Sequence, residues 1–265
     1  MRKGYSDGPY GQIHWRVSDA ETSGARDLYC FHPAPFSGIA YAGIAPYLRK
    51  ARRLVMPDYP GYGGSDRHTA KPTIDDYADA MAAVIVDVSS DKPVDLMGFH
   101  TGCLVAAELC RREPDWFCKA CLIDVPAFPA DKRADMAAMA SAPLALTENL
   151  SSLSKPWESG VVKRLESGSM DRAFEMFVEQ LRPGREMNAA FHAAFSYPWE
   201  DRLPTIKTQT LVLATQSPLL EGSRKTAEVI PGAALVERLD IKRSVLDEAA
   251  EKTAGEIVSF LTGDE

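Results

Sequence analysis

The stretch Asp95-Leu-Met-Gly98-Phe-His100-Thr101-Gly102-Cys103 decides the fold. The apolar run Pro93 to Met97 predicts a strand, and Thr101 to Arg112 predicts a helix that follows at once. A strand that turns straight into a helix puts its central residue, His100, on a strained bend. Gly98 and Gly102, two residues before and two after, let helix and strand pack closely there. The Thr101 backbone N–H then faces outward from a helix N-terminus, whose partial positive charge favours a developing oxyanion. Framed one residue later, Thr101 becomes the central residue. The Gly98-x-His100-x-Gly102 frame fits the steric rule better, and Thr101 is kept as the alternative nucleophile.

Working outward, strands and helices alternate. Ile13, Trp15 and Val17 interleave with polar neighbours and predict a strand, and Asp27 to Phe31 predicts a buried one. A helix is expected over Tyr41 to Lys50, then a strand over Arg53 to Met56 that ends in the turn-rich Pro57-Asp58-Tyr-Pro60-Gly61-Tyr-Gly63-Gly64. Thr73 is placed to cap a long amphipathic helix, Ile74 to Val88, with Asp75 and Asp76 in its first turn. Ala120 to Ile123 gives another strand. Such βαβ alternation implies a mostly parallel sheet covered on both faces. From Pro126 to Arg202 the pattern turns helical, rich in Ala and Met, with Trp157, Phe174, Phe177 and Trp199 expected mostly in a core. Strands are expected again at Thr210 to Ala214 and Ala234 to Glu237, with helices through Thr226 to Val229 and from Asp247 to Leu261. The organisation read from this is an α/β core over 1–125 and 203–265, with a helical cap over 126–202.

Composition removes several classes. The chain has 265 residues, formal net charge −7 and no basic stripe, which argues against nucleic acid and gives no reason to expect an anionic membrane surface as partner. No run of 18 apolar residues suggests a membrane span, and the Met1 start lacks the apolar core of a secretory signal. Five cysteines, an odd count lying in apolar stretches, suit reduced thiols in a cytoplasmic protein. Cys118 and Cys121 form a lone CxxC with no second pair to complete a metal site, so they read as small strand residues. No metal and no cofactor are expected. Gly61-x-Gly63-Gly64 leads into a loop and not a helix, so it fails the dinucleotide test. The terminal Asp264-Glu265 pair is expected to be solvated.

Four further stretches, in order, resemble the α/β-hydrolase superfamily across nearly the whole chain. Phe31-His32-Pro-Ala-Pro-Phe-Ser37 is similar to the loop after the third strand, which in that family supplies an oxyanion-hole donor. The Pro57 to Asp66 loop matches the family's loop after the next strand. Leu211 to Pro218 resembles the strand and loop that carry the triad acid. Pro231 to Leu261 resembles the last strand and helix, between which the triad histidine sits. The resemblance implies an eight-stranded, mostly parallel sheet, and a subset of the family shares the Gly-x-His-Thr-Gly elbow and an opening like Gly4 to His14. By position, however, the elbow holds His100 in place of serine, the acid position holds Ser217, and the histidine position falls near Lys242, Arg243 and Ser244. No histidine occurs after His192. Such a chain departs from the ordinary Ser-His-Asp arrangement.

The expected chemistry therefore centres on His100, whose free pKa near 6.5 suits a general base or acid. Asp124, at the carboxyl end of the neighbouring strand, is the expected partner. Some superfamily members, including certain dehalogenases, hold their acid there. The competing reading makes Asp124 a brace for the cap junction. Thr101 and Ala34 offer backbone amides, since Pro33 and Pro35 have none. His32 is expected to orient the oxyanion loop. His192 could hang from the cap into the pocket, although a satisfied helix-interface position is commoner. Arg243 could bind a substrate carboxylate, although a solvated loop arginine is the plainer reading. His14 and His68 read as surface or strand residues, and Asp58 as a brace of the Pro-Gly turn.

Three functions follow. The first is an enzyme without the standard triad, of hydrolase or lyase type, cleaving C–O or C–C bonds of a small carbonyl or ester-like compound. The second is a catalytically inactive ligand-binding protein. The third is a hydrolase using Thr101. The expected partner is a small molecule, and the sequence leaves room for a homodimer.

Overall fold

The computed structural model describes all residues except 23, 69–70, 90–92, 167 and 264–265, so the Asp264-Glu265 pair lies outside the described residues. Eight strands form one sheet: β1 (Arg2–Gly8), β2 (Gly11–Ser18), β3 (Asp27–Phe31), β4 (Arg53–Pro57), β5 (Val94–Phe99), β6 (Phe117–Ile123), β7 (Gln209–Thr215) and β8 (Ala234–Arg238). Their order is β1-β2-β4-β3-β5-β6-β7-β8. The β1–β2 and β2–β4 pairs are antiparallel and the others parallel. The mixed, mostly parallel sheet is the expected one. β1 was not anticipated, because its residues are charged, polar or glycine and all but Ser6 keep some exposure. Only its pairing to β2 makes it a strand.

Strand alternation splits the core between the two faces. Tyr29, Phe31, Leu96, Leu122 and Val212 face α2 (Ile74–Val88) and α3 (Thr101–Arg112). Leu28, Cys30, Met97, Cys121 and Leu213 face α1 (Ala45–Leu48) and α10 (Ala250–Thr262). Thr73 caps α2 as expected, in a reciprocal capping box with Asp76. The helix expected over Tyr41 to Lys50 is shorter. Gly38–Ala42 forms a 3₁₀ turn, Gly43 follows, and Pro46 in the first turn of α1 leaves only one α-helical turn. Cys118 and Cys121 lie on β6, and all five thiols are free.

Between β6 and β7 the chain is helical: α4 (Ala130–Ala140), α5 (Ser151–Gly160), a 3₁₀ turn Val162–Glu166, α6 (Met170–Leu181), α7 (Ala189–Phe195) and α8 (Trp199–Arg202). Phe177 and Trp199 are buried, but Trp157 and Phe174, expected mostly in a core, are 39% and 51% exposed. They meet edge-on at the surface. α9 (Leu220–Val229) leads back to β8.

The loops after β3 and β4 are tied together by buried polar groups. Asp58 accepts from the Gly38 amide at 2.8 Å and the Gly64 amide at 2.9 Å. It also pairs with Nδ1 of His14 at 2.7 Å and Arg16 at 2.9 Å. Burial would raise the Asp58 carboxyl, but these partners outweigh it and hold it below the usual range. His14, read as a surface or strand residue, is a strand residue, on β2, and its side chain is buried against Asp58. The His14–Asp58 contact spans 44 positions of sequence, so no local pattern announces it.

Candidate functional site

In the sheet order, β4 and β5 lie on opposite sides of β3, which opens a crevice at the carboxyl ends of these strands. His100 sits there, between β5 and α3, with φ 51° and ψ −117°. A non-glycine residue held in that region is strained. The glycine spacing explains how it is held. A Cβ on Gly98 would lie 2.4 Å from the backbone of Gly102, and one on Gly102 would lie 1.9 Å from the Phe31 carbonyl oxygen. Only glycines let α3 approach β5 and β3 this closely. The His100 amide is anchored to the Ile123 carbonyl at 3.0 Å, and its ring packs on Phe99 with centroids 3.9 Å apart.

The His100 ring opens into a cavity of about 610 Å³. Burial lowers its pKa to about 4, with the Asp124 charge pulling the other way, so the ring is neutral at pH 7. Asp124 lines the same cavity and also has φ 51°. Its Oδ1 accepts from the Thr215 amide at 2.8 Å, and its Oδ2 from the Thr215 hydroxyl at 2.7 Å. Among the described residues no hydrogen bond joins the Asp124 and His100 side chains. Both line the same cavity.

The other expected residues divide clearly. Ser217, Lys242, Arg243 and Ser244 all line the cavity, although they lie far from His100 in sequence. Ser217 Oγ accepts from the Leu219 amide at 3.2 Å. Ser244 has φ 54°. Arg243 is exposed and paired with Glu166. Thr101 lies at the start of α3, where the first amides have no intrahelical acceptor. Its side chain is buried, the residue being 3% exposed, and does not line the cavity. Ala34 is buried behind Pro33 and Phe36, which do line it, and the Ala34–Pro35 bond is cis.

His32 is buried behind that wall. Its Nδ1 bonds the Pro33 carbonyl at 3.0 Å, its Nε2 accepts from the Tyr59 amide at 3.1 Å, and burial lowers its pKa to about 4. The neutral ring is a bracket between two loops. Of the two readings of His192, the structure does not place it on the cavity and leaves the helix-interface one. It lies on α7 beside Lys71 and Ser141, at a separate small depression. The short helix turns it toward α4 instead.

The sequence reading missed several groups. Thr215 meets Asp124 because the β6–β7 register sets Ile123 beside Leu213, and no local pattern announces that pairing. Phe36, Lys163, Arg164, Glu166 and Asp247 carry no local motif and meet only in the folded chain. Among the described residues no cluster suited to a metal ion is present, and no helix is long and apolar enough to cross a membrane.

A crossed-over sheet, a strained strand-to-helix turn and a cavity at the strand ends together define a hydrolase-type α/β scaffold. Residues 28–253 match the alpha/beta hydrolase family, and the chain belongs to it. Among solved structures, a hydrolase from Pseudomonas aeruginosa PA01 superposes with TM-score 0.81 at 18% identity over 99% of both chains. An enol-lactonase from Burkholderia xenovorans LB400 gives 0.80 at 19% identity, covering 98% of this chain and 100% of that one. A thermophilic esterase from Thermogutta terrifontis gives 0.77 at 19% identity over 98% of both. At such identities the likeness is one of fold. No curated protein matches the chain.

Proposed function

We propose that this protein is an enzyme acting on a small carbonyl or ester-like compound, of hydrolase or lyase type, with His100 in the nucleophile's place as general base and acid. The observation that carries this is the neutral imidazole held at a strained turn on the wall of the cavity. A ring that is neutral at pH 7 accepts a proton from water or a substrate hydroxyl and returns it to the leaving group. In ester cleavage the water oxygen adds to the carbonyl carbon while its proton passes to His100. The tetrahedral oxyanion takes the amides of Thr101 and Ala34, and His100 protonates the departing alkoxide. Asp124, fixed by Thr215, stabilises the transient imidazolium through space. Residues 126–202 act as the cap, since Ser159, Lys163, Arg164, Glu166 and Met176 complete the cavity wall.

The test is mass spectrometry of a small-molecule extract incubated with wild type and with His100→Ala. Consumption by wild type alone supports the reading. The kcat/KM profile for the compound then sharpens it. The active form is unprotonated, so the rate stays level from neutrality downward and falls only near pH 4, where an unperturbed histidine would fall near 6.5.

A second reading, an inactive ligand-binding protein, is favoured by one observation: both Asp124 oxygens already accept hydrogen bonds from Thr215, and none comes from His100. A compound that co-purifies unchanged, with none consumed, would establish it. The Thr101 nucleophile has the burial of its side chain against it. Esterase activity that survives His100→Ala and is lost in Thr101→Ala would restore it.

A further inference from the structure

The charges lining the cavity separate into claimed and unclaimed groups. Glu166 is paired with Arg243. Asp247 accepts from Nε of Arg172 at 3.0 Å, and Asp124 is held by Thr215. Lys163, Arg164 and Lys242 remain on the same wall, and none of them has a carboxylate partner among the described residues. In a chain of net charge −7, three cations without a carboxylate partner among the described residues thus line one cavity.

Arg164 differs from the two lysines. Lys163 and Lys242 are exposed, and Arg164, in the Val162–Glu166 turn, is half-buried. Its guanidinium carbon lies 5.4 Å from the centroid of Phe36, itself a cavity residue from the loop after β3. Contact through the ring face keeps a guanidinium planar and in place, and leaves its N–H edge free for two parallel hydrogen bonds. Burial lowers the Arg164 pKa, Asp247 and Glu248 work against that, and Arg172 adds to it. A desolvated cation without a hydrogen-bonded anion is costly, and a bound carboxylate removes that cost.

We propose that Arg164 recognises a carboxylate, so that the cavity takes a carboxylate-bearing small molecule whose reactive end reaches His100. The inference rests on the cavity being the substrate site and does not need turnover. Isothermal titration calorimetry with succinate, monomethyl succinate, dimethyl succinate and inorganic phosphate tests it. Wild type, Arg164→Gln, Arg164→Lys and His100→Ala are compared, each first checked for an unchanged thermal unfolding midpoint. The expected result is that succinate or monomethyl succinate binds at least tenfold more tightly than dimethyl succinate. Arg164→Gln should remove that preference and Arg164→Lys keep part of it, while His100→Ala leaves it intact. Failure of the catalytic reading would appear as absent turnover with this pattern preserved. The proposal is overturned if the carboxylates bind no more tightly than the diester, if Arg164→Gln keeps the preference, or if phosphate is bound more tightly than both carboxylates.

Discussion

The two walls of the cavity are built differently. The sheet wall, with His100, Asp124 and Thr215, hangs from strand ends, and α3 behind it is buried at ten of its twelve positions. The facing wall comes from α5, α6 and the turn between them. There α5 buries only Gly160, and a satellite cluster of Val161, Ala173 and Phe177 with Leu181 is the local core. Val162, Leu165, Met170, Phe174 and Val178 stay exposed. Met176 of α6 joins the main core, and the other ties of this wall are polar and long-range, such as Arg172 to Asp247 and to the carbonyls of Ile39 and Ala40, or Arg182 to the Gly63 carbonyl. The sheet wall is therefore fixed by packing and backbone, and the facing wall by a few side-chain contacts. The first can hold a strained residue, and the second can adapt to what it covers.

Substitutions should expose this contrast, the largest effect first. Gly102→Ala forces a Cβ against the Phe31 carbonyl, and neither backbone can yield cheaply. We expect a loss of about 3 kcal/mol or more, read from urea unfolding, and a midpoint equal to wild type would dissolve the contrast. Thr215→Val keeps the shape but leaves Oδ2 of Asp124 short of its hydroxyl donor. A hydrogen bond to a charged group is worth about 1.5–3 kcal/mol, so stability at pH 7 should fall by that order. An unchanged unfolding curve would mean that solvent reaches Asp124. Phe174→Ser on the facing wall should change stability by no more than about 0.5 kcal/mol. A larger loss would show that its edge-on contact with Trp157 contributes to a real core.

Legibility in the sequence follows the same division. The strand-to-helix turn could be read because Gly98, His100 and Gly102 act within five residues of chain, and the Thr73 cap because Asp76 lies three residues on. The helix near Tyr41 was overextended, since Gly43 and Pro46 outweigh an apolar pattern. Partners that meet only in the folded chain stayed hidden: Asp58 with His14, Asp124 with Thr215 across 91 positions, and Arg243 with Glu166 across 77. Arg164 had no signal at all, because what marks it is the lack of a carboxylate partner among the described residues. Two aromatics between β6 and β7 misled, as Trp157 and Phe174 look like core residues in any window of sequence, while Phe177 and Trp199 are buried as expected.

Asp58 has a consequence for motion. One carboxylate receives the Gly38 amide from the loop after β3 and the Gly64 amide from the loop after β4, while it holds two side chains of β2. Each amide rests on its own oxygen of that carboxylate, Oδ1 for Gly38 and Oδ2 for Gly64, so an opening that withdraws Asp58 exposes both. The two protons, 26 residues apart in the chain, should therefore exchange as a pair, with one opening free energy and one response to denaturant, and the two loops should come away from the sheet as a single leaf.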